Sequence, residues 1–390
     1  MSSTRLPGTP RLLRAINDRA ALELLLDQGP LTRAQLGELT GLSKVTASQL
    51  VERLEERGLV ARVGEQAGGR GPNASLYAVV PTSAFVVGVE VGPEHAVAAC
   101  ADITGKVVSR VDQSIHDSDD PVGVVHKAVI DAAHTGRAPL TKVRRVVLGS
   151  PGLVDPGTGD LSFVFDLPHW QRGLLAALRA DLKRAVVVEN DVNLAAVAEL
   201  YTGAAKGVDD FVLVWLDRGV GMAVVLGGRL HRGVSGAAGE IGYLPVAGAP
   251  MPRGGRAKGG FKELAAADAV RAVAREHGFR YATAQEAVRA AIGAGPDGEP
   301  VLDELARRLA LGLAAACLVL DPALVVLAGE VGRAGGVALA QRVQREVAGI
   351  APVSPRVVTT EVEAEPVLHG ALLTALDATR DEVFGSTIGA

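Results

Sequence analysis

Residues 43–53 read SKVTASQLVER, and their side chains suit recognition by hydrogen bonding more than covalent catalysis. At helical spacing, Ala47, Leu50, Val51 and Leu54 share one face. The other face carries Lys44, Val45, Thr46, Ser48, Gln49 and Arg53. A helix with Lys, Thr, Ser and Gln in its first turns can lie in a major groove and reach base edges. A glycine-rich loop carrying Arg70 follows, suited to the backbone or the minor groove. Gln49 is expected to read sequence, Arg53 to hold phosphate, and Arg70 to enter the minor groove.

The neighbouring chain supplies what such a helix needs. Thr32 followed by Gln35 is a capping-box pattern opening a first short helix, with Leu36 and Leu39 as its expected buried face. Gly41 breaks the chain, Ser43 can cap the second helix, and Gly58 ends it. Residues 59–63 and 76–80 read as two strands of a wing. The unit is a winged helix-turn-helix, preceded by a helix over Arg11–Asp27 with Leu22, Leu25 and Leu26 inward and by a polar arm, residues 1–10. Two helices around a glycine also describe an ordinary surface hairpin. The capping box, short turn and wing, in that order, favour DNA.

Bulk properties agree. The chain has 390 residues, enough for two or three domains, and 48% are hydrophobic. Residues 1–80 hold ten Lys and Arg against eight Asp and Glu; the other 310 hold 30 against 36. The slight basic excess therefore lies at the N-terminal end, and affinity for DNA must come from placed contacts and from dimerisation. With two cysteines, no apolar leader and no membrane span, the expected location is the cytoplasm.

After a short linker, Pro81-Thr82-Ser83, the pattern changes. Residues 85–91, 96–102 and 106–112 read as strands, followed by a helix at 121–134, a strand at 145–149, a Gly/Pro loop at 149–160, a helix at 174–182, a strand at 185–188 and a helix at 193–201. The plan then recurs: strands at 211–216, 222–226 and 229–230, helices within 261–277, 284–291 and 301–320, a strand at 323–328, and helices at 339–347 and 366–379. Three strands followed by helix–strand–helix, twice, is the layout of two similar lobes around a cleft. The fold class is α/β. The expected divisions are 1–80 for the DNA-binding head, 84–200 for lobe 1, 201–365 for lobe 2, and 366–390 for a helix returning to lobe 1.

These residues resemble the ROK family, a group of sugar kinases and sugar-responsive repressors with an actin-like, ribonuclease H-like fold. Gly68-Gly69-Arg70 is similar to the wing of the family's repressors; GSPGLVD at 149–155 resembles its GIPGxVD loop; ENDVN at 189–193 and GAAGEIGY at 236–243 resemble two cleft motifs. The resemblance implies that Asp191 stands where family kinases keep the base that deprotonates a sugar hydroxyl, a position that serves equally to hold a sugar by hydrogen bonds. It places Asn190, Glu240, Glu263 and Asp166, ahead of Trp170, at positions that hold sugar hydroxyls.

The departures are as informative. The family's DxGGT phosphate loop is here Glu90-Val91-Gly92-Pro93-Glu94, in which Pro93 has no N–H and Glu94 brings a carboxylate. The second phosphate loop reads Leu216-Asp217-Arg218-Gly219-Val220-Gly221, and the adenine-side glycines become Ala328-Gly329-Glu330. Like charges in a phosphate cradle repel ATP. The zinc motif is lost too: its histidine is Tyr243 and its cysteines fall on Gly254, Arg256 and Phe261. The expectation is a DNA-binding repressor without cofactor or metal. It would bind a double-stranded operator as a homodimer or tetramer and respond to a sugar or sugar derivative. Two alternatives stay open: an active sugar kinase with a DNA-binding head, and a regulator with no small-molecule ligand.

Overall fold

A computed structural model describes residues 10–67, 73–115, 120–162, 174–182, 185–252 and 258–385. Arg70, Asp166, Trp170, Gly254 and Arg256 lie outside the described residues.

The head contains α1 (Pro10–Gln28), β1 (Leu31–Thr32), α2 (Arg33–Thr40), α3 (Lys44–Glu56), β2 (Val60–Gln66) and β3 (Ala74–Val79). The sheet order is β1-β3-β2, so the wing has a third strand that the sequence reading omitted. Thr32 and Gln35 form the expected capping box, and Gly41 closes α2 at φ 71°, a conformation cheap only for glycine. Leu36 is 1% exposed, but Leu39 is 48% exposed and does not belong to the core. Leu26 is half-buried, whereas Leu22 and Leu25 are core residues.

Two five-stranded sheets follow. The first uses β4 (Phe85–Val91), β5 (His95–Asp102), β6 (Val107–Ser114), β7 (Val143–Ser150) and β10 (Ala185–Asn190), in the order β10-β7-β4-β5-β6. A small ribbon, β8 (Leu153–Val154) with β9 (Leu161–Ser162), follows β7. Helices α4 (Pro121–Thr135), α5 (Leu174–Leu182) and α6 (Asp191–Thr202) complete this half. The second sheet uses β11 (Phe211–Leu216), β12 (Val220–Leu226), β13 (Arg229–Leu230), β14 (Leu324–Ala328) and β15 (Arg356–Thr359), in the order β13-β12-β11-β14-β15. It is covered by α7 (Lys262–Ala265), α8 (Ala267–Glu276), α9 (Ala284–Gly293), α10 (Glu299–Leu320) and α11 (Gly329–Ile350). In both sheets the first strand pairs antiparallel with the second and parallel with the fourth, so the repeat seen in the sequence is structural. The parallel strand β14 is a continuous apolar run, as burial on both faces requires, and β7 becomes one from Val146 to Leu148.

Two elements differ from the sequence reading. Strand β15 was missing from it, and α11 begins ten residues before the expected Leu339, kinking at Gly336 where φ is 51°. The closing helix α12 (Pro366–Gly385) packs on the first sheet and on α6. A Cβ on Gly370 would meet the Leu194 carbonyl oxygen at 1.9 Å, so glycine is needed for α12 and α6 to touch.

α12 also reaches the head. Phe384 is 1% exposed and sits in the same apolar cluster as Leu22, Leu36, Leu50 and Tyr77, with Ile103 from the loop after β5. Arg57 donates to the Val383 carbonyl at 2.8 Å, and Arg19 pairs with Asp381 at 2.6 Å. Pro81–Ser83 forms a short 3-10 turn, and head and body share one packed junction.

Candidate functional site

The first site is the open face of α3. Ser43 caps the helix, its Oγ accepting from the Thr46 N–H at 3.2 Å. That bond fixes the entry of the helix and satisfies one otherwise orphaned donor. Ala47, Leu50, Val51 and Leu54 are buried as expected. Lys44, Val45, Thr46 and Gln49 are exposed, and Ser48 is half-buried. Together they form the face that sequence reasoning singled out.

Arg53 is the correction. It turns inward to α1, where Asp18 is 0% exposed, and its Nε donates to Asp18 Oδ2 at 3.1 Å while Nη2 contacts Oδ1. Arg57 approaches the same carboxylate at 3.5 Å. The hydrogen bond to Asp18 raises the Arg53 pKa. A charge committed to a buried partner braces α3 against α1. Periodicity could not show this, because Asp18 is 35 positions away in sequence.

The second site is the cleft at the end of β10. Asn190 caps α6: its Oδ1 accepts from the Asn193 N–H at 3.1 Å and its Nδ2 donates to the Gly152 carbonyl at 3.0 Å. It thereby ties the 149–160 loop to α6, a structural duty beside any contact with a ligand. Asp191 is the first helical residue, at the positive end of the α6 dipole. Glu240 faces it; burial, then the Asp191 charge, raises the Glu240 pKa. The loop bearing Glu240 is pinned by two glycines, since a Cβ on Gly236 would meet the Val154 oxygen at 2.0 Å and one on Gly239 the Met222 oxygen at 1.8 Å. Glu263 does not face outward freely: its Oε1 accepts from the Gly259 N–H at 2.9 Å and holds the loop before α7.

Sequence reasoning passed over Glu189, a heavily bonded buried side chain. It is 4% exposed and accepts from the Asn190 N–H at 3.0 Å, from Asn193 Nδ2 at 2.9 Å and from Arg232 Nε at 2.6 Å. Arg232 comes from the chain after β13, so this ion pair joins the two halves beside Asn190 and Asp191. A carboxylate next to the ND pair was the available signal. At the far end of α6, buried Glu199 accepts from the Val362 N–H at 3.2 Å and from Thr360, fastening the segment that leads into α12.

Glu90, Gly92, Pro93, Glu94, His95, Val97 and Arg218 line an open cavity of about 420 Å³. Glu90 is pushed up to about 7 by burial and by the charges of Glu365 and Asp191, partly offset by a hydrogen bond from the Leu368 N–H. Its carboxylate thus occupies the N-terminal turn of α12. Asp217 is raised by burial and by Glu330, which stands in the first turn of α11. The N-terminal turns of α11 and α12, natural anion sites, already hold protein carboxylates. At the positions the resemblance assigns to a zinc motif, Phe261 is 0% exposed and packs in the core against Gly312, and the Tyr243 ring lies 5.5 Å from the Lys262 ammonium.

Residues 86–378, both sheets and the cleft, match the ROK family. The chain belongs to the ROK family. Residues 16–71 match the MarR family, over the head. Among similar proteins, the DNA-binding transcriptional dual regulator NagC of Escherichia coli (strain K12) is 29% identical over 245 residues, 61% of this chain and 59% of that protein. The xylose repressor of Bacillus subtilis (strain 168) is 29% identical over 242 residues, 60% of this chain and 61% of that one. The matches therefore span about three-fifths of those relatives. A ROK hexokinase from Thermus thermophilus superposes with TM-score 0.64 at 28% identity, covering 76% of this chain and 99% of its own. A ROK family transcriptional regulator, a homolog of the E. coli MLC protein, superposes with TM-score 0.74 over 96% of this chain and 99% of its own at 20% identity, a likeness of fold.

Proposed function

We propose that this ROK protein is a sequence-specific, DNA-binding transcriptional repressor whose body senses a sugar or sugar derivative without phosphorylating it. The observation that carries the reading is the contrast between a head with an open polar helix face and a nucleotide side filled by Glu90, Glu94, Asp217 and Glu330. A triphosphate entering there meets like charge where it needs N–H donors and cations. Asp191, Asn190 and Glu240 remain as hydrogen-bond partners for hydroxyls. Asp166 belongs to the same proposed set, and Arg70 to the DNA contacts.

The route from cleft to DNA is continuous. A ligand on Asp191 acts on α6, α6 lies against α12 through Gly370, and α12 ends in the core of the head at Phe384. Closure around a sugar then tilts the heads of a dimer or tetramer relative to an operator with two-fold symmetry. By linkage, a sugar that weakens operator binding must bind less tightly in the presence of operator.

The test is an anisotropy titration of the full chain on duplexes from its own promoter region, repeated with hexoses, pentoses and amino sugars. Saturable binding released by one sugar class supports the reading. Binding no stronger than to random duplex overturns it, as does ATP turnover with any sugar that Asp191→Ala abolishes.

A further inference from the structure

We infer that the second half of the body carries an anion site on α8, outside the cleft, that takes a phosphate monoester bearing a flat apolar group. Arg271 and Arg275 stand one turn apart on α8, so their side chains share a face. The chain then folds back, with the Gly278 N–H donating to the Arg275 carbonyl at 3.1 Å and the Phe279 N–H to the Ala274 carbonyl at 2.9 Å. Gly278 makes this turn at φ 88°. The result is a recess of about 260 Å³ lined by Arg271, Arg275, Phe279, Arg280, Tyr281 and Ala287.

Three guanidinium groups around one small recess repel each other, and little nearby relieves them. Arg271 lies 3.4 Å from Asp268, whose side chain is 97% exposed, a pairing that water screens strongly. Glu286 is committed to the Thr283 N–H at 3.1 Å as part of a helix cap. Among the described residues, neither Arg275 nor Arg280 makes an ion pair; Glu276, next to Arg275 in the chain, is exposed. The Arg271 Nε is buried without a hydrogen-bond partner, an uncommon state for a buried donor. Arg275 also suits the C-terminal dipole of α8, but that accounts for one of the three cations.

A dianion answers this arrangement. Guanidinium forks bind phosphate oxygens in pairs, and an oxygen at Arg271 Nε would satisfy the orphaned donor. The half-buried Phe279, Tyr281 at 48% exposed and the buried Ala287 form the apolar wall, which favours a ligand with a planar group attached to its phosphate.

Calorimetric titration of the full chain with AMP, and separately with its two halves, adenosine and inorganic phosphate, tests the site. The expected result is saturable AMP binding at least tenfold tighter than either half. Arg275→Ala/Arg280→Ala should weaken AMP tenfold or more without changing far-UV circular dichroism or Tm, because both arginines are exposed. Tyr281→Ala should weaken AMP but leave phosphate unchanged. The inference is overturned if AMP binds no tighter than phosphate, or if the double variant keeps full AMP affinity, which would put the nucleotide in the cleft. Loss of operator affinity in the double variant with AMP binding intact would assign the arginines to DNA and overturn it equally.

Discussion

The head and the cleft treat charge in opposite ways. At the head, the one fully buried carboxylate among the described residues, Asp18, is met by two arginines, and the outward face of α3 is left to polar side chains open to solvent. In the cleft, Glu90, Asp191, Glu240 and Asp217 are gathered with few cations, and three of them have raised pKa values. The head is neutralised inside and open outside, as a scaffold for reading another molecule should be. The cleft gathers carboxylates beside Arg218 and Arg232, and its raised carboxyl groups offer acceptors for hydroxyl donors. The difference shows that one chain can use carboxylates either as buried braces met by arginines or as a cluster of acceptors lining a cleft.

The largest effect should come from breaking the neutralised side. Asp18→Ala leaves Arg53 and Arg57 without their buried partner and should lower stability by about 3–5 kcal/mol. Chemical denaturation would show this, and operator binding should fall with it. A loss below about 1 kcal/mol would place Asp18 among ordinary surface pairs.

The cleft gives the next effect. Folded Glu90 has its pKa raised from 4.5 to about 7, so the folded state holds its proton more tightly than the unfolded chain. The stability this confers is complete below pH 4.5 and is lost as pH rises through 7. Glu90→Gln cannot ionise, so above that range it should be more stable than the parent by about 2–3 kcal/mol. Parallel stability-against-pH curves for the two proteins would remove Glu90 from the comparison.

On the open face, Gln49→Ala should reduce discrimination between operator and mismatched duplex by about 1–3 kcal/mol while sparing nonspecific binding. Arg53→Ala should act through stability, and its salt dependence of DNA binding should match the parent's; a shallower salt slope would return Arg53 to the phosphate contacts. The smallest effect is Ser43→Ala, which removes the α3 cap and should destabilise by about 1 kcal/mol, readable as a modest fall in Tm.

Much of this architecture was legible in the chain. The helix at 174–182 and the strand at 211–216 coincide with the structure residue for residue, because each is an apolar run bounded by clear breaks. The capping box and the Ser43 cap were readable because their partners lie three residues apart. What escaped depends on distant partners or competing signals. β15 is only four residues long, and the start of α11 is hidden by Gly329, Gly332, Gly335 and Gly336. Leu39 fits a helical stripe, yet no element covers it. In the cleft, motif positions located Asn190, Asp191 and Glu240. Glu189 joined to Arg232 across 43 positions, and Arg53 joined to Asp18, follow only from tertiary packing.

Phe384 carries a consequence for how the protein is made. The aromatic ring that completes the apolar centre of the N-terminal head belongs to α12, the last helix among the described residues, and Arg57 meets Val383 across 326 positions of chain. As the ribosome delivers the N-terminal end first, the unit emerges with that place in its centre vacant. It gains its full set of contacts only after the two-sheet body has been synthesised. Truncated products of interrupted translation should therefore hold their N-terminal unit less stably than the full chain does, because that unit and α12 complete one core together.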